Sequence, residues 1–142
     1  MDACSSREAP RRRRQAVEID LTRVLCRLAE LKATGCREFR LAGGQGPLQC
    51  FVVKCASGVH AYVNRCAHMA LPLNLVPDRF LTHDGSMILC TAHGAIFEKS
   101  TGYCVSGPCA GRTLASVPVD VIGDYVLLAE DVDAAALAAK YA

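Results

Sequence analysis

Two short clusters of metal-ligand side chains stand out in the middle of the sequence. The first is a Cys-x-His pair, Cys66 and His68, and the second, after 21 intervening residues, is a Cys-x-x-His pair, Cys90 and His93. Each cluster places one thiolate and one imidazole on a segment short enough to form a single tight loop. Two such loops can close on one inorganic centre from opposite sides, so the spacing predicts a metal site held by these four residues.

The donor set is compatible with two kinds of metal centre. Two cysteines and two histidines make a common zinc set, but zinc fingers usually place both cysteines in one knuckle and both histidines in the other. Here each loop supplies one of each. That arrangement suits a [2Fe–2S] cluster in which two cysteines hold one iron and two histidines hold the other. We therefore expect a [2Fe–2S] cluster that transfers one electron at a time, with zinc as the alternative.

The composition is that of one small domain. A chain of 142 residues can bury one core but is short for a second, and 16 basic against 14 acidic residues do not indicate a nucleic-acid surface. No run reaches the roughly 20 apolar residues that a membrane span requires. The nine cysteines, an odd number, favour reduced thiols and metal ligation over a disulfide framework. We expect a soluble, cytoplasmic protein with neither nucleic acid nor membrane as a partner.

The sequence divides into three parts. Residues 1–18 are polar and basic, with a run of four arginines at 11–14, and are expected to form a disordered lead-in. The same run resembles the start of an export signal, but polar and acidic residues follow where the apolar segment of such a signal would lie. Residues 19–130 are expected to form the metal-binding domain, and residues 131–142 a short helical tail.

Short apolar runs separated by glycine-rich turns predict an all-β domain, a small antiparallel sandwich or barrel. The run Val24–Arg27 is ambiguous, because the apolar spacing from Ile19 to Leu31 also fits a helix. The other predicted strands are 38–41, 49–54, 59–64, 87–90, 95–98, 103–105, 114–119 and 121–129, with a closing turn at Gly123-Asp124.

The segments around the ligands resemble the Rieske domain family. The resemblance rests on residues 64–68, 90–95 and 107–110, which read NRCAH, CTAHGA and GPCA, and it covers about residues 22–130. It implies a Rieske-type fold of three antiparallel sheets with short terminal helices. Two ligand loops and a third, proline-bearing loop would form a cluster-binding subdomain. The resemblance also favours a first strand at Val24–Arg27, followed by a turn, over the helix.

The resemblance implies separate roles for the four ligands. Cys66 and Cys90 would hold the inner iron of the cluster. His68 and His93 would hold the outer iron, and the electron would leave through this exposed side. None of the four residues is expected to be catalytic in its own right.

Departures from the high-potential members of the family imply a low reduction potential. Those members carry an extra cysteine in each ligand loop, joined in a disulfide, where this sequence has Leu71 and Ala92. They also carry a serine and a tyrosine whose hydroxyls hydrogen-bond the cluster, where this sequence has Ala95 and Phe97. With fewer such bonds, the potential is expected near or below the low end of the usual range, about −150 mV.

Other cysteines outside the ligand set are expected to be packing residues. Cys26, Cys50 and Cys55 lie in or beside apolar runs, where a free thiol behaves as a small hydrophobe. Cys104 and Cys109 lie near the third loop, and we expect free thiols there too, with a substitute disulfide as the alternative.

The resulting hypothesis is a small electron carrier similar to Rieske ferredoxins, the electron-transfer component of an oxidoreductase system. It would accept one electron from a reductase and pass it to an oxygenase or another redox enzyme, without a substrate pocket. A redox-sensing or accessory binding module is the alternative from a different class. A zinc-held structural domain is the third.

Overall fold

The computed structural model describes residues 19–42, 46–67 and 71–141. Within these ranges the chain is mostly β, with short strands in three antiparallel sheets and one α-helix near the C-terminal end. This confirms the all-β class and the three sheets expected from the sequence. The N-terminal segment 1–18 and His68 lie outside the described residues. No helix among the described residues is both long and apolar enough to cross a membrane.

The strands are two to eight residues long. In chain order the strands and the helix are β1 Val24–Arg27, β2 Cys36–Leu41, β3 Leu48–Cys55, β4 Gly58–Val63, β5 Ile88–Leu89, β6 Ile96–Phe97, β7 Cys104–Ser106, β8 Val119–Ile122, β9 Tyr125–Leu128 and α1 Ala134–Tyr141. The strands form three sheets with the orders β1-β9-β8, β2-β3-β4 and β5-β6-β7.

The middle sheet is buried on both faces because its central strand, β3, is apolar at successive positions. Side chains alternate across a strand, so Cys50 and Val52 face one core while Phe51 and Val53 face the other. The first core is shared with β1, β9 and α1. The second is shared with the sheet β5-β6-β7 and contains the predicted ligands Cys66 and Cys90. The middle sheet therefore forms the floor beneath the metal site.

Aromatic side chains fill the core between this floor and the site. The rings of Phe51 and Phe80 stack with centroids 4.1 Å apart, and the ring of Tyr62 lies 5.9 Å from that of Phe51. The Tyr62 hydroxyl donates a hydrogen bond to the Lys99 carbonyl at 2.6 Å. The ring of Tyr62 is thus buried in the core, while its hydroxyl, the one polar atom of the side chain, keeps a hydrogen-bond partner.

The N-terminal ambiguity is resolved in favour of a strand. Val24–Arg27 pairs with β9 and is followed by a 3₁₀ turn at Leu28–Leu31, as the family resemblance implied. The strand places Cys26 in the first core.

Two strand predictions are wrong. The segment 121–129 is not one strand, because the turn at Gly123-Asp124 divides it between β8 and β9. Residues 114–118 form no ladder, and only a single bridge joins Ser116 to Tyr62. The backbone of Val117 donates to the Ala61 carbonyl at 2.8 Å, so the segment follows β4 without pairing continuously. Pro118, the next residue, has no N–H to extend the pairing. The predicted turn at Gly123-Asp124 does join β8 to β9.

Candidate metal centre

The loop that carries Cys90 and His93 is a tight turn between β5 and β6. The backbone N–H of Cys90 donates to the Ala95 carbonyl (N···O 2.8 Å), and that of Gly94 donates to the Cys90 carbonyl (N···O 2.9 Å). Gly94 has φ of 74°, a conformation that glycine adopts without strain. The turn buries the Cys90 side chain completely and leaves His93 exposed.

Cys66 begins the other ligand loop, shortly after β4. Its backbone N–H donates to the Leu71 carbonyl at 2.8 Å, which closes the loop on itself. The Arg112 guanidinium donates to the Ala67 carbonyl at 3.2 Å and so holds the loop from outside. The Cys66 side chain is buried. Because His68 lies outside the described residues, its role as a ligand stays a prediction.

The two ligand loops are tied to each other, and their cysteines meet. The backbone N–H and the hydroxyl of Thr91 both donate to the Leu73 carbonyl, at 2.9 and 3.0 Å. The thiol of Cys66 lies beside that of Cys90 within the second core, close enough to raise the pKa of Cys90. The structure therefore brings together the two sulfur donors that the sequence predicted from separate clusters.

His93 lies on the same turn as Cys90, but the described residues do not complete a donor set around it. Among these residues, which exclude His68, no three Cys, His, Asp or Glu side chains lie together in a way that could hold a metal ion. The described part of the site is thus a buried pair of thiols with an exposed imidazole on one of its two loops.

The charge state of Cys90 follows from its surroundings. Burial is the main cause that raises the pKa of this thiol, and the neighbouring Cys66 thiol raises it further. The backbone N–H groups of Ala92 and His93 donate to the sulfur and partly lower the pKa again. Without metal the thiol therefore keeps its proton, and metal binding must displace it. The same N–H groups would then stabilise the thiolate.

A third loop, residues 107–111, covers the two cysteines. Gly107 has φ of 105°, and a Cβ atom built there would lie 2.7 Å from the Cα atom of Ala95. The third loop and the Cys90 turn are thus in close backbone contact, which only glycine allows. Pro108 is exposed at the surface, and Cys109 is buried beneath it.

Cys109 connects the third loop to the site, a contact that the sequence analysis missed. Its thiol donates to Cys104 Sγ at 3.2 Å and lies close enough to Cys66 for that thiol to contribute to its raised pKa. Both Cys104 and Cys109 are free thiols. The sequence contained one signal for this contact, because Cys109 directly follows the glycine-proline pair of the third loop.

A buried polar network positions the first ligand loop. Asn64, only 6% exposed, accepts a hydrogen bond from the backbone N–H of Leu73 at 2.8 Å and donates to Asn74 Oδ1 at 2.9 Å. Asn74 donates in turn to Glu38 Oε2 on β2 at 3.1 Å. The loop is thereby fixed to the middle sheet through side chains as well as through the backbone.

Replacing Asn64 by alanine is expected to destabilise the protein by about 1–3 kcal/mol, because the buried N–H of Leu73 loses its acceptor. Urea unfolding of the metal-free chain measures the change. The matched control is Gln49→Ala, which removes an exposed amide side chain from the neighbouring strand β3. It should cost less than about 1 kcal/mol. Equal losses in the two variants would contradict the role assigned to the buried amide.

Comparison with known proteins identifies the family in which this arrangement occurs. The family model described as "Rieske [2Fe-2S] domain" matches residues 22–137. No curated protein matches the sequence. Many solved structures are similar, and three illustrate their range.

The first similar structure is the terminal oxygenase of carbazole 1,9a-dioxygenase from Novosphingobium sp. KA1, with a TM-score of 0.60 and 22% identity over 78% of this chain. The chain spans only 30% of that oxygenase. The second is the Sphingomonas yanoikuyae B1 ferredoxin, with a TM-score of 0.56, 23% identity and coverage of 74% of this chain and 94% of the ferredoxin.

The third structure is a complex of reduced oxygenase and oxidized ferredoxin in carbazole 1,9a-dioxygenase. Its matching chain gives a TM-score of 0.56 at 24% identity, with coverage of 75% of this chain and 90% of that one. At such identities these likenesses establish the fold alone. The family match, in contrast, spans most of the sequence and includes both cysteine loops and the third loop. The chain therefore belongs to the Rieske [2Fe–2S] domain family, and its cofactor is a [2Fe–2S] cluster.

Proposed function

We propose that this protein is a one-electron carrier whose [2Fe–2S] cluster is held by Cys66, His68, Cys90 and His93. The observation that carries the proposal is the meeting of the Cys66 and Cys90 thiols from two separate loops. The exposed imidazole of His93 on one of these loops supports it. Two buried thiols and the exposed imidazole of His93 fit the division in which two cysteines bind one iron and two histidines the other.

The residues present fit the cluster. Two thiolates that share one iron must approach closely, and Cys66 and Cys90 are already in contact. The backbone N–H groups of Ala92 and His93 face the Cys90 sulfur and would stabilise its negative charge. When bound, the cluster supplies reversible one-electron chemistry. The chain itself supplies the ligands, the buried floor beneath them and an exposed edge toward a partner.

The low reduction potential is part of the proposal. Ala95 and Phe97, which stand where high-potential members carry hydroxyl groups, are both buried against the site and offer no hydrogen to the cluster. Leu71 and Ala92 stand where those members carry the disulfide, and both side chains are exposed. Fewer hydrogen bonds to the sulfurs stabilise the reduced state less, which lowers the potential.

The proposed partners are a reductase as donor and an oxygenase or similar redox enzyme as acceptor. One of the similar structures is a complex of reduced oxygenase and oxidized ferredoxin, which supports an oxygenase as a partner. We place the carrier in the cytoplasm, where thiols stay reduced. The eight cysteines of the described ranges are free thiols, which supports this location.

The protein reduced with dithionite and purified without oxygen is expected to give a rhombic electron paramagnetic resonance signal. Because imidazole replaces thiolate on one iron, the average g value should lie clearly below that of all-cysteine clusters. Iron and sulfide should be present in equal amounts. A colourless, zinc-containing protein without this signal would overturn the electron-carrier proposal.

A further inference from the structure

We propose that Cys104 and Cys109 form a redox-sensitive thiol pair, which oxidation closes to a disulfide and which thereby adjusts the reduction potential of the neighbouring cluster. Neither residue belongs to the four proposed ligands, and one-electron transfer does not require them. The disulfide itself is independent of the carrier role, whereas its effect on the potential rests on the presence of the cluster.

The two sulfur atoms are already aligned for reaction. The Cys109 thiol donates to Cys104 Sγ at 3.2 Å, and the Cys104 thiol donates to the Ser106 carbonyl at 3.2 Å. The Cys104 proton thus points away from Cys109, and a lone pair on its sulfur faces the partner thiol. A disulfide bond of about 2.05 Å requires the sulfurs to approach by roughly 1 Å.

The backbone around the pair keeps the thiols facing each other. The N–H of Cys104 donates to the Arg112 carbonyl at 2.8 Å, and the N–H of Gly111 donates to the Cys104 carbonyl at 3.0 Å. This pairing folds the chain back on itself, so that Cys104 lies opposite Gly111 and Arg112, and Cys109 lies on the turn between them. Closure therefore needs only a small movement of the third loop.

An oxidant approaches from the third loop. Residues 105–108 and Ala110 are exposed, and Cys109 lies directly beneath them. Both thiols are buried, with Cys109 only 2% exposed, so an oxidant reaches them only when the third loop opens. The pair therefore resists brief oxidation and responds to sustained oxidation.

A small disulfide such as glutathione disulfide is the oxidant class that balances the reaction. Cys109 loses its proton and attacks one sulfur of the oxidant, forming a mixed disulfide and releasing one glutathione thiolate. Cys104 then loses its proton and attacks the Cys109 sulfur, releasing the second. Two electrons and two protons pass from the pair to the oxidant, which leaves as two thiols, and excess reduced glutathione reverses the reaction.

The pair lies next to one of the proposed cluster ligands. Cys109 is close enough to Cys66 for the two thiols to interact, and Gly107 of the same loop lies against Ala95. Cys109 has a single hydrogen, which points to Cys104 Sγ in this structure. A cluster-bound Cys66 thiolate is a stronger acceptor than a thiol and can take this hydrogen bond instead, whereas a disulfide has no hydrogen to donate. Since hydrogen bonds to the sulfurs raise the reduction potential, closure is expected to move the potential to a more negative value.

The test uses the full-length, cluster-loaded protein incubated with glutathione disulfide without oxygen, followed by alkylation and tryptic mass mapping. Cleavage after Lys99 and Arg112 gives one peptide that contains both cysteines of the pair and no other. We expect this peptide to lose two hydrogens, about 2 Da, and to escape alkylation until a dithiol reductant is added. Voltammetry of the same sample should show the potential move to a more negative value and return on reduction.

Three variants serve as controls. Cys104→Ala and Cys109→Ala should each lose both the mass change and the potential shift. Cys55→Ala, which removes a partly exposed thiol outside the pair, should keep both.

Full alkylation of both cysteines in the treated wild-type protein would contradict the proposal that oxidation joins Cys104 and Cys109 in a disulfide. A closed disulfide with an unchanged potential would overturn its coupling to the cluster. Because the wild-type protein decides both points, the result does not depend on the folding of a variant. Thiol mapping needs no redox partner, so failure of this proposal is distinguishable from failure of the carrier proposal.

Discussion

Cys66→Ala and Cys90→Ala are each expected to yield protein that contains essentially no iron or sulfide and gives no paramagnetic signal after reduction. The two thiols meet at the centre of the site, and removal of either leaves one iron with a single protein ligand. Truncating a buried thiol costs only about 1 kcal/mol in packing, so the metal-free fold should survive. Iron and sulfide analysis after cluster assembly measures the loss, and circular dichroism checks the fold.

The matched control for these variants is Cys50→Ala. Cys50 is as fully buried as Cys90, but its side chain faces the first core, on the other side of the middle sheet. The Cys50→Ala variant should therefore bind a full complement of iron. Because Cys109 contacts Cys66, Cys66→Ala should also be made in the Cys109→Ala background, which removes a substitute sulfur donor. A cluster that survives loss of Cys66 in that background would contradict the assignment of Cys66 as a ligand.

Gly107→Ala is expected to destabilise the protein by more than about 2 kcal/mol and to accelerate loss of the cluster. Two costs combine here, because φ of 105° is strained for alanine and the new Cβ atom would lie 2.7 Å from the Ala95 Cα atom. Backbone cannot swing aside as a flexible side chain does, so the third loop must lift from the Cys90 turn. Urea unfolding and the decay of the cluster's visible absorbance measure the two effects.

Gly111→Ala separates these two costs. Gly111 belongs to the same loop and has φ of 92°, but a Cβ atom there meets nothing within 4 Å. It should cost about 1 kcal/mol through backbone strain alone and leave the rate of cluster loss unchanged. If the two variants behaved alike, close packing of the third loop would not be what protects the site.

The sequence was sufficient for the features that depend on local spacing. Cys90 and His93 share one short turn, so their placement on a single loop follows from their separation and from Gly94. The apolar residues 50–53 likewise predict the strand at 49–54, which the structure contains within β3. Neither pattern identifies what packs against the turn or the strand, since that depends on contacts between distant parts of the chain.

Features created by tertiary contacts escaped prediction for the same reason. Asn64 is an ordinary polar residue in the sequence, and only the folded first ligand loop places the Leu73 N–H at its side chain. The contact of Cys109 with Cys66 joins positions 43 residues apart, and no local pattern encodes it. Residues 114–118 have the composition of a strand but lack a continuous partner strand.

The double-sided burial of β3 also bears on how the protein opens. Alternate residues of this strand serve the first core and the second, so neither core can be exposed to water without loosening the strand on which the other depends. Local opening that reaches the floor of the site is therefore coupled to global unfolding. The backbone amides of β3 should be among the last to exchange their hydrogens with solvent, whereas the third loop above the cysteines can open on its own.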